Sequence, residues 1–224
     1  MATILHINTA FETASVFFSK DENIVSCFEN NSPKNHASFL EPAIKKICAE
    51  TNLSLKQIDA IAVINGPGSY TGLRVGLSSA KAICYSLGKP LILLNTLDVM
   101  ALALKMQYGG KDEEVLFCPA IDARRMEVFT ALYDFNLAII SPYTSKIIDD
   151  DFFSEYKNRV IIAGGSGGIK MQQMLINEKF IYTNFLLLDA PIVNLSNWAF
   201  NSEVFANIAY CEPIYLKPVY FRNN

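Results

Sequence analysis

What this sequence lacks narrows it first. Its 224 residues hold two histidines, His6 and His36. A metallopeptidase helix needs a second histidine four positions on, and position 40 is Leu40. His6 lies in an apolar run and reads as a core histidine. The five cysteines, Cys27, Cys48, Cys84, Cys118 and Cys211, are odd in number and scattered without any C-x-x-C pair. A structural zinc site is left without ligands, and the thiols read as reduced and mostly buried. Charge is sparse at 18%, with 19 basic against 22 acidic residues and a net charge of −3. No basic run is present, so strong RNA binding by this chain alone is not expected. Nor does any segment approach the ~20 apolar residues that span a bilayer. Met1-Ala2-Thr3 lacks the basic start and apolar run of a signal peptide, so a soluble cytoplasmic protein is expected.

What is present is apolar: 51% of residues are hydrophobic, enough to bury a substantial core. The runs Thr3–Asn8, Ala14–Ser19 and Asn23–Glu29, separated by short polar turns, predict three strands. Ala37, Leu40, Ile44, Ile47 and Cys48 then recur at helical spacing and predict a helix over His36–Thr51. A buried strand at Ile58–Ile64 leads through Asn65-Gly66-Pro67-Gly68-Ser69-Tyr70 into a helix over Thr71–Leu87, closed by Gly88 and Pro90. A strand at Leu91–Leu94 and a helix at Thr96–Gln107 follow, and Gly109–Glu114 marks a boundary. The pattern then restarts with strands at Val115–Ile121 and Met126–Tyr133 and a short one near Ile139–Ser141. Next come a helix near Asp149–Lys157, a strand at Arg159–Ala163, helices at Ile169–Ile176 and Asn194–Ala209, and an extended tail over Glu212–Pro218. The halves echo each other, which suggests two related α/β modules, 1–110 and 111–224, each with antiparallel strands first and parallel strands later.

Three motifs invite chemistry. Gly66-Pro67-Gly68-Ser69-Tyr70-Thr71-Gly72 sits where backbone amides favour an anion. Yet Thr71 breaks the dinucleotide register and no lysine follows for a Walker loop, so a tight strand-to-helix turn is favoured. Gly164-Gly165-Ser166-Gly167-Gly168 has the spacing of a hydrolase elbow, but both histidines precede Ser166, and a serine without its base is a weak nucleophile. A glycine turn is favoured here too. Asn8 and Asp122 end corresponding strands, where duplicated phosphotransferases place carboxylates. Asn8 is neutral and holds a cation poorly, and Asp122 alone is as well explained by turn capping. The helix Thr71–Leu87 carries only Arg74 and Lys81 as charges. Leu73, Leu77, Ala80, Cys84 and Leu87 form one stripe; Val75, Gly76, Ser79, Ala82, Ile83 and Ser86 form a second, small and apolar face. A helix apolar almost all round needs covering on both sides, by its own chain or by a partner.

The runs Ile7–Ala10, Asn65–Gly76 and Ala120–Phe129 resemble the bacterial TsaB (YeaZ) family. Ser32-Pro33-Lys34-Asn35-His36, Asn95-Thr96-Leu97 and Glu212–Lys217 fit the same pattern in order. The resemblance spans nearly the whole chain. It implies an actin-like ATPase (ASKHA) fold of two ribonuclease-H-like modules with mixed sheets. It implies a non-catalytic scaffold in making tRNA threonylcarbamoyladenosine, bound to a catalytic TsaD subunit and joined by the ATPase TsaE, reaching tRNA only through the complex. The family interface lies on the first two helices. Here the positions are His36, Leu40, Ile44, Ser69, Tyr70, Thr71, Leu73, Arg74, Val75, Leu77, Ser78, Lys81 and Ala82. Candidate nucleotide contacts are Asn8, Gly66, Gly68, Asp122, Gly164 and Gly165, although the family usually has Asp where this chain has Asn8. No metal or cofactor is expected of this subunit, and ATP or ADP is left to the interface of the complex. An exposed apolar helix also favours a homodimer when the partner is absent. A stand-alone actin-like kinase would need Asp122, and a peptidase would need Ser166 or His36.

Overall fold

The computed structural model describes residues 2–31, 35–175, 179–184 and 188–218. Ser32, Pro33 and Lys34 of the quoted motif, and Ile176 at the expected helix end, lie outside them.

The chain forms two compact units, 1–96 with 189–214, and 97–188 with 215–224. In the first unit, β1 (Thr3–Asn8), β2 (Ala14–Lys20), β3 (Asn23–Asn30), β4 (Ala60–Gly66) and β5 (Leu91–Asn95) form a sheet ordered β3-β2-β1-β4-β5. β1–β2–β3 is an antiparallel meander, and β4 and β5 are parallel additions. The second unit repeats this plan with β6 (Leu116–Asp122), β7 (Glu127–Tyr133), β8 (Ile139–Ile147), β9 (Ile161–Gly164) and β10 (Phe180–Thr183), ordered β8-β7-β6-β9-β10. Again the first three are antiparallel and the last two parallel. The duplication read from the sequence is therefore one topology used twice, the actin-like arrangement of two mixed sheets.

In the first unit α1 (His36–Thr51) and α2 (Tyr70–Leu87) pack on the sheet and on each other, and α5 (Asp189–Asn201) packs on β1, β3 and β5. β4 is buried along its whole length, and β1 is buried beyond Thr3. That explains why both read as continuous apolar runs rather than alternating ones. His6 is fully buried there, stacked 4.4 Å from Phe17 and hydrogen-bonded to Ser19 Oγ at 2.7 Å. Its other nitrogen lies 3.5 Å from Ser196 Oγ of α5. In the second unit α4 (Ser166–Met174) packs on β6, β9 and β10. α3 (Thr96–Tyr108) contributes Asp98, which accepts hydrogen bonds from Tyr133 at 2.7 Å and Tyr143 at 2.8 Å.

The expected division at residue 110 is corrected. α3 joins the second unit from Leu97, and residues 189–214 return to the first. The return is fixed by Ser196 at His6, by Ala206 N–H donating to Leu91 O at 2.8 Å, and by Ile214 N–H donating to Asn65 O at 2.8 Å. Two helices are also corrected. Residues 149–157 form turns and one 3₁₀ turn, Ser154–Tyr156, because the adjacent Phe152 and Phe153 are both drawn into the core, edge to face at 4.8 Å. The last helix starts at Asp189 and ends at Asn201, followed by left-handed Glu203 at φ 55°. Asp189 suits the positive helix start, and Pro191 is tolerated in a first turn. Among the described residues no helix is long and apolar enough to cross a membrane.

Candidate functional site

The N-terminus of α2 is built by close approach. Ser69 caps the helix, its Oγ accepting from Gly72 N–H at 3.3 Å. A Cβ on Gly72 would stand 2.0 Å from Thr9 O, and one on Gly76 would stand 2.3 Å from Thr9 Oγ1. Thr9 Oγ1 donates to Gly72 O at 2.7 Å, and Ser69 N–H donates to Ala10 O at 2.8 Å. The end of β1 thus lies directly against the helix start. The glycines are needed because backbone fills the space a phosphate loop would leave open.

The candidate nucleotide contacts share this fate. Asn8 is buried, and its Oδ1 accepts from Ala10 N–H at 3.3 Å. Gly66 faces Ile214 O, and Gly68 faces Ala10 O, each 2.5 Å from where a Cβ would be. In the second unit Gly164 is buried at the end of β9, and Gly165, at φ 96°, sits against Ala120 O. Asp122 is bonded by the Lys170 ammonium and by Arg124 N–H at 2.7 Å. Burial raises its pKa, but Lys170 and the Arg124 amide outweigh that and hold it below the usual carboxylate range. Asn8 is a neutral amide and Asp122 a neutralised carboxylate, and each by itself is a poor magnesium ligand. A small cavity of about 30 Å³ between Cys118, Thr130, Thr144 and Phe152 has room for about two waters and none for a nucleotide.

Ser166 offers no nucleophile: it opens α4, and its Oγ accepts from Asp122 N–H at 3.0 Å. His36 is buried and bonded to Phe11 O at 2.9 Å. Cys27, Glu29 and Asp189 bring ligand-type atoms within 4.8 Å of one another. Burial, then the neighbouring Asp189 and Glu29, push the Cys27 thiol up to about 12, so it stays protonated and donates to Asp189 Oδ2 at 3.9 Å.

The expected interface positions divide sharply. Leu40, Ile44, Leu73 and Leu77 are buried in the chain's own core, as is His36. They pack inward and shape the helices rather than lining an exposed face, a correction that follows from sheet packing. Gly76 is also turned inward, and Val75, Ser79 and Ile83 are half-buried, with Ser79 Oγ donating to Glu41 of α1 at 3.1 Å. The second face of α2 is therefore partly covered by α1. What remains outward is a stripe of Thr71, Arg74, Ser78, Ala82 and Tyr85, at helical spacings of three and four, with Ser86 exposed beside Tyr85. Ser69 is exposed ahead of it; Tyr70 and Lys81 are half-buried at its edge. The Arg74 guanidinium lies over the Tyr70 ring, 4.3 Å from its centre. Lys81 Nζ donates to Cys211 O at 3.1 Å, and Lys81, Ala82 and Tyr85 line an open groove with Asn207, Ile208 and Ala209. Tyr85 is 85% exposed; it falls three positions after Ala82 on the same face but was not singled out from the sequence. On α1 the exposed positions include Ser38, Glu41, Pro42 and Lys45, also not singled out.

Residues 28–211 match the family model described as TsaD, tRNA N6-adenosine threonylcarbamoyltransferase. The chain is 28% identical over 187 residues to the tRNA threonylcarbamoyladenosine biosynthesis protein TsaB of Buchnera aphidicola from Acyrthosiphon pisum, covering 80% of this chain and 82% of that one. It is 36% identical over 130 residues to the Escherichia coli protein of that name, covering 58% of this chain and 54% of that one. Against the Bacillus subtilis TsaB it is 29% identical, covering 62% of this chain and 58% of that one. The solved structure of YeaZ from Pseudomonas aeruginosa superposes with a TM-score of 0.78 at 22% identity, covering 96% of this chain and all of that one, which shows the shared fold. The doubled sheet, the glycine-lined turn at α2 and these matches together establish that the chain belongs to the TsaB (YeaZ) family, within the group the TsaD family model describes.

Proposed function

We propose that this chain is a non-catalytic scaffold subunit in the biosynthesis of tRNA threonylcarbamoyladenosine, docking on a TsaD-type catalytic subunit through the outer faces of α1 and α2. The observation that carries it is the stripe Thr71, Arg74, Ser78, Ala82 and Tyr85. Small residues at its centre permit close helix approach, and the flanking Arg74 and Tyr85 are the side-chain types that most often dominate interface energy. The family membership supplies the pathway. The filled turn at Gly72 and the neutralised Asp122 speak against ATP chemistry by this chain alone. A TsaE-type ATPase joins the pair, ATP or ADP belongs to the interface of the complex, and tRNA is met only through it. Without its partner the chain pairs through the same face as a homodimer.

Mixing the chain with its cognate TsaD-type protein on a sizing column tests this. A one-to-one complex is expected, with tRNA modification only when both are present. Separate elution with full modification by the TsaD-type protein alone would sink the proposal. The rival, a stand-alone kinase, requires magnesium-dependent ATP hydrolysis by the purified chain that Asp122→Ala abolishes.

A further inference from the structure

The turn between β6 and β7 encloses the ammonium of Lys170 in oxygen. Arg124 and Arg125 both take left-handed backbone conformations, at φ 67° and 52°. Two such residues in succession fold the chain back so that Ala123 N–H donates to Glu127 O at 3.1 Å and Glu127 N–H to Arg124 O at 3.3 Å. Lys170 reaches in from α4, with only 18% of its side chain exposed. Its ammonium bonds Asp122 Oδ1, Arg125 O at 2.7 Å and Glu127 O at 3.4 Å. All three N–H donors of a lysine are used, and every acceptor is oxygen. One carboxylate and two backbone carbonyls are also a ligand set suited to a hard divalent cation. Ser166, one turn earlier on α4, holds the Asp122 amide from the same side, so the helix fixes both the ligand and its counter-ion.

We propose that residues 122–127 form an oxygen cradle for a divalent cation that the chain fills permanently with its own Lys170 ammonium. The tethered ammonium competes with any dissolved ion at a high effective concentration. A metal must break an ion pair and two further hydrogen bonds to enter. The second unit therefore keeps the geometry of a cation site while excluding the cation. The first unit reaches the same neutral outcome differently, by ending β1 on Asn8. Lys170 thereby acts as a positioning residue for the turn and gives the non-catalytic reading a local cause.

Mn²⁺ titration of the chain alone tests this, so its outcome is separate from whether α2 docks a partner. Binding is read by electron paramagnetic resonance, and its location by broadening of backbone amide signals. In the wild-type chain, amides 122–127 are expected to stay sharp at millimolar Mn²⁺. In Lys170→Ala, broadening is expected to centre on those amides, with affinity at least tenfold tighter than wild type and a melting temperature raised by Mn²⁺. Adding Asp122→Asn should abolish both gains. Localised broadening at 122–127 in the wild type would overturn the proposal, and that measurement stands even if Lys170→Ala folds poorly. Equal Mn²⁺ binding in wild type and Lys170→Ala would also overturn it.

Discussion

The two units share one strand plan yet present opposite surfaces. In the first, a full helix α1 links β3 to β4, and α2 leaves an uncharged stripe between Arg74 and Tyr85 facing outward. In the second, the link from β8 to β9 has only the 3₁₀ turn Ser154–Tyr156, and the polar groups at the end of β6 are consumed by Lys170. Both strand-to-helix turns use glycine so that backbone from the first strand can lie against the helix start. Thr9 and Ala10 do this at Gly68 and Gly72; Ala120 does it at Gly165 and Gly167. The fold was duplicated, but the first copy has a full helix, α1, where the second has only a 3₁₀ turn.

The largest expected effect asks whether the two turns are equally tight. Gly72→Ala puts a Cβ 2.0 Å from Thr9 O, a backbone atom that cannot step aside, and should cost about 4 kcal/mol or prevent folding. Gly167→Ala meets Val128 Cγ1 at 2.7 Å and Ala120 C at 2.9 Å, and should cost about 2 kcal/mol. Urea unfolding would rank them; the reverse order would show that the first turn is the looser one.

Next in size is the surface contrast. Ala82→Arg at the centre of the stripe should weaken the heterodimer about a hundredfold, roughly 2.7 kcal/mol. Gln173→Arg, on the exposed side of α4, should leave it unchanged. Calorimetric titration against the TsaD-type protein distinguishes the two, and equal losses would erase the distinction between the units.

The first unit carries a pH effect between pH 7 and 5 through His6. Burial lowers the His6 pKa from 6.5 to about 3. The unfolded chain therefore binds the extra proton first. The stability His6 contributes is complete above pH 6.5 and drains as pH falls toward 3, by about 1.4 kcal/mol per pH unit. At pH 5 that is roughly 2 kcal/mol. Equilibrium unfolding between pH 7 and 5 checks it, and His6→Leu should flatten the slope. The smallest effect is Ser69→Ala, which removes the cap of α2 and should cost about 1 kcal/mol in the same unfolding assay.

Much of this was legible in the sequence because apolar periodicity and glycine punctuation are local. α1 and α2 lie within a residue of where spacing places them, and the repeated strand plan follows from matching runs at Ile7 and Ile121. What escaped depends on distant partners. Phe152 and Phe153 overrode a helical pattern by entering the core together, and β10, four residues long, is too short to announce itself. At α2, composition identified the helix and left open what covers its second face: Gly76 is inward because Thr9 needs the space, and Val75 and Ile83 are half-covered. Lys170 was invisible as a counter-ion because only the fold brings it to Asp122.

The central claim is that a protein partner covers the outer faces of α1 and α2. Hydrogen exchange of this chain, with and without its TsaD-type partner, tests it most directly. Slowed exchange is expected over 36–51 and 70–87, with 166–174 unchanged. Protection centred on 166–174, or none on 70–87 in a complex shown to form, would contradict it.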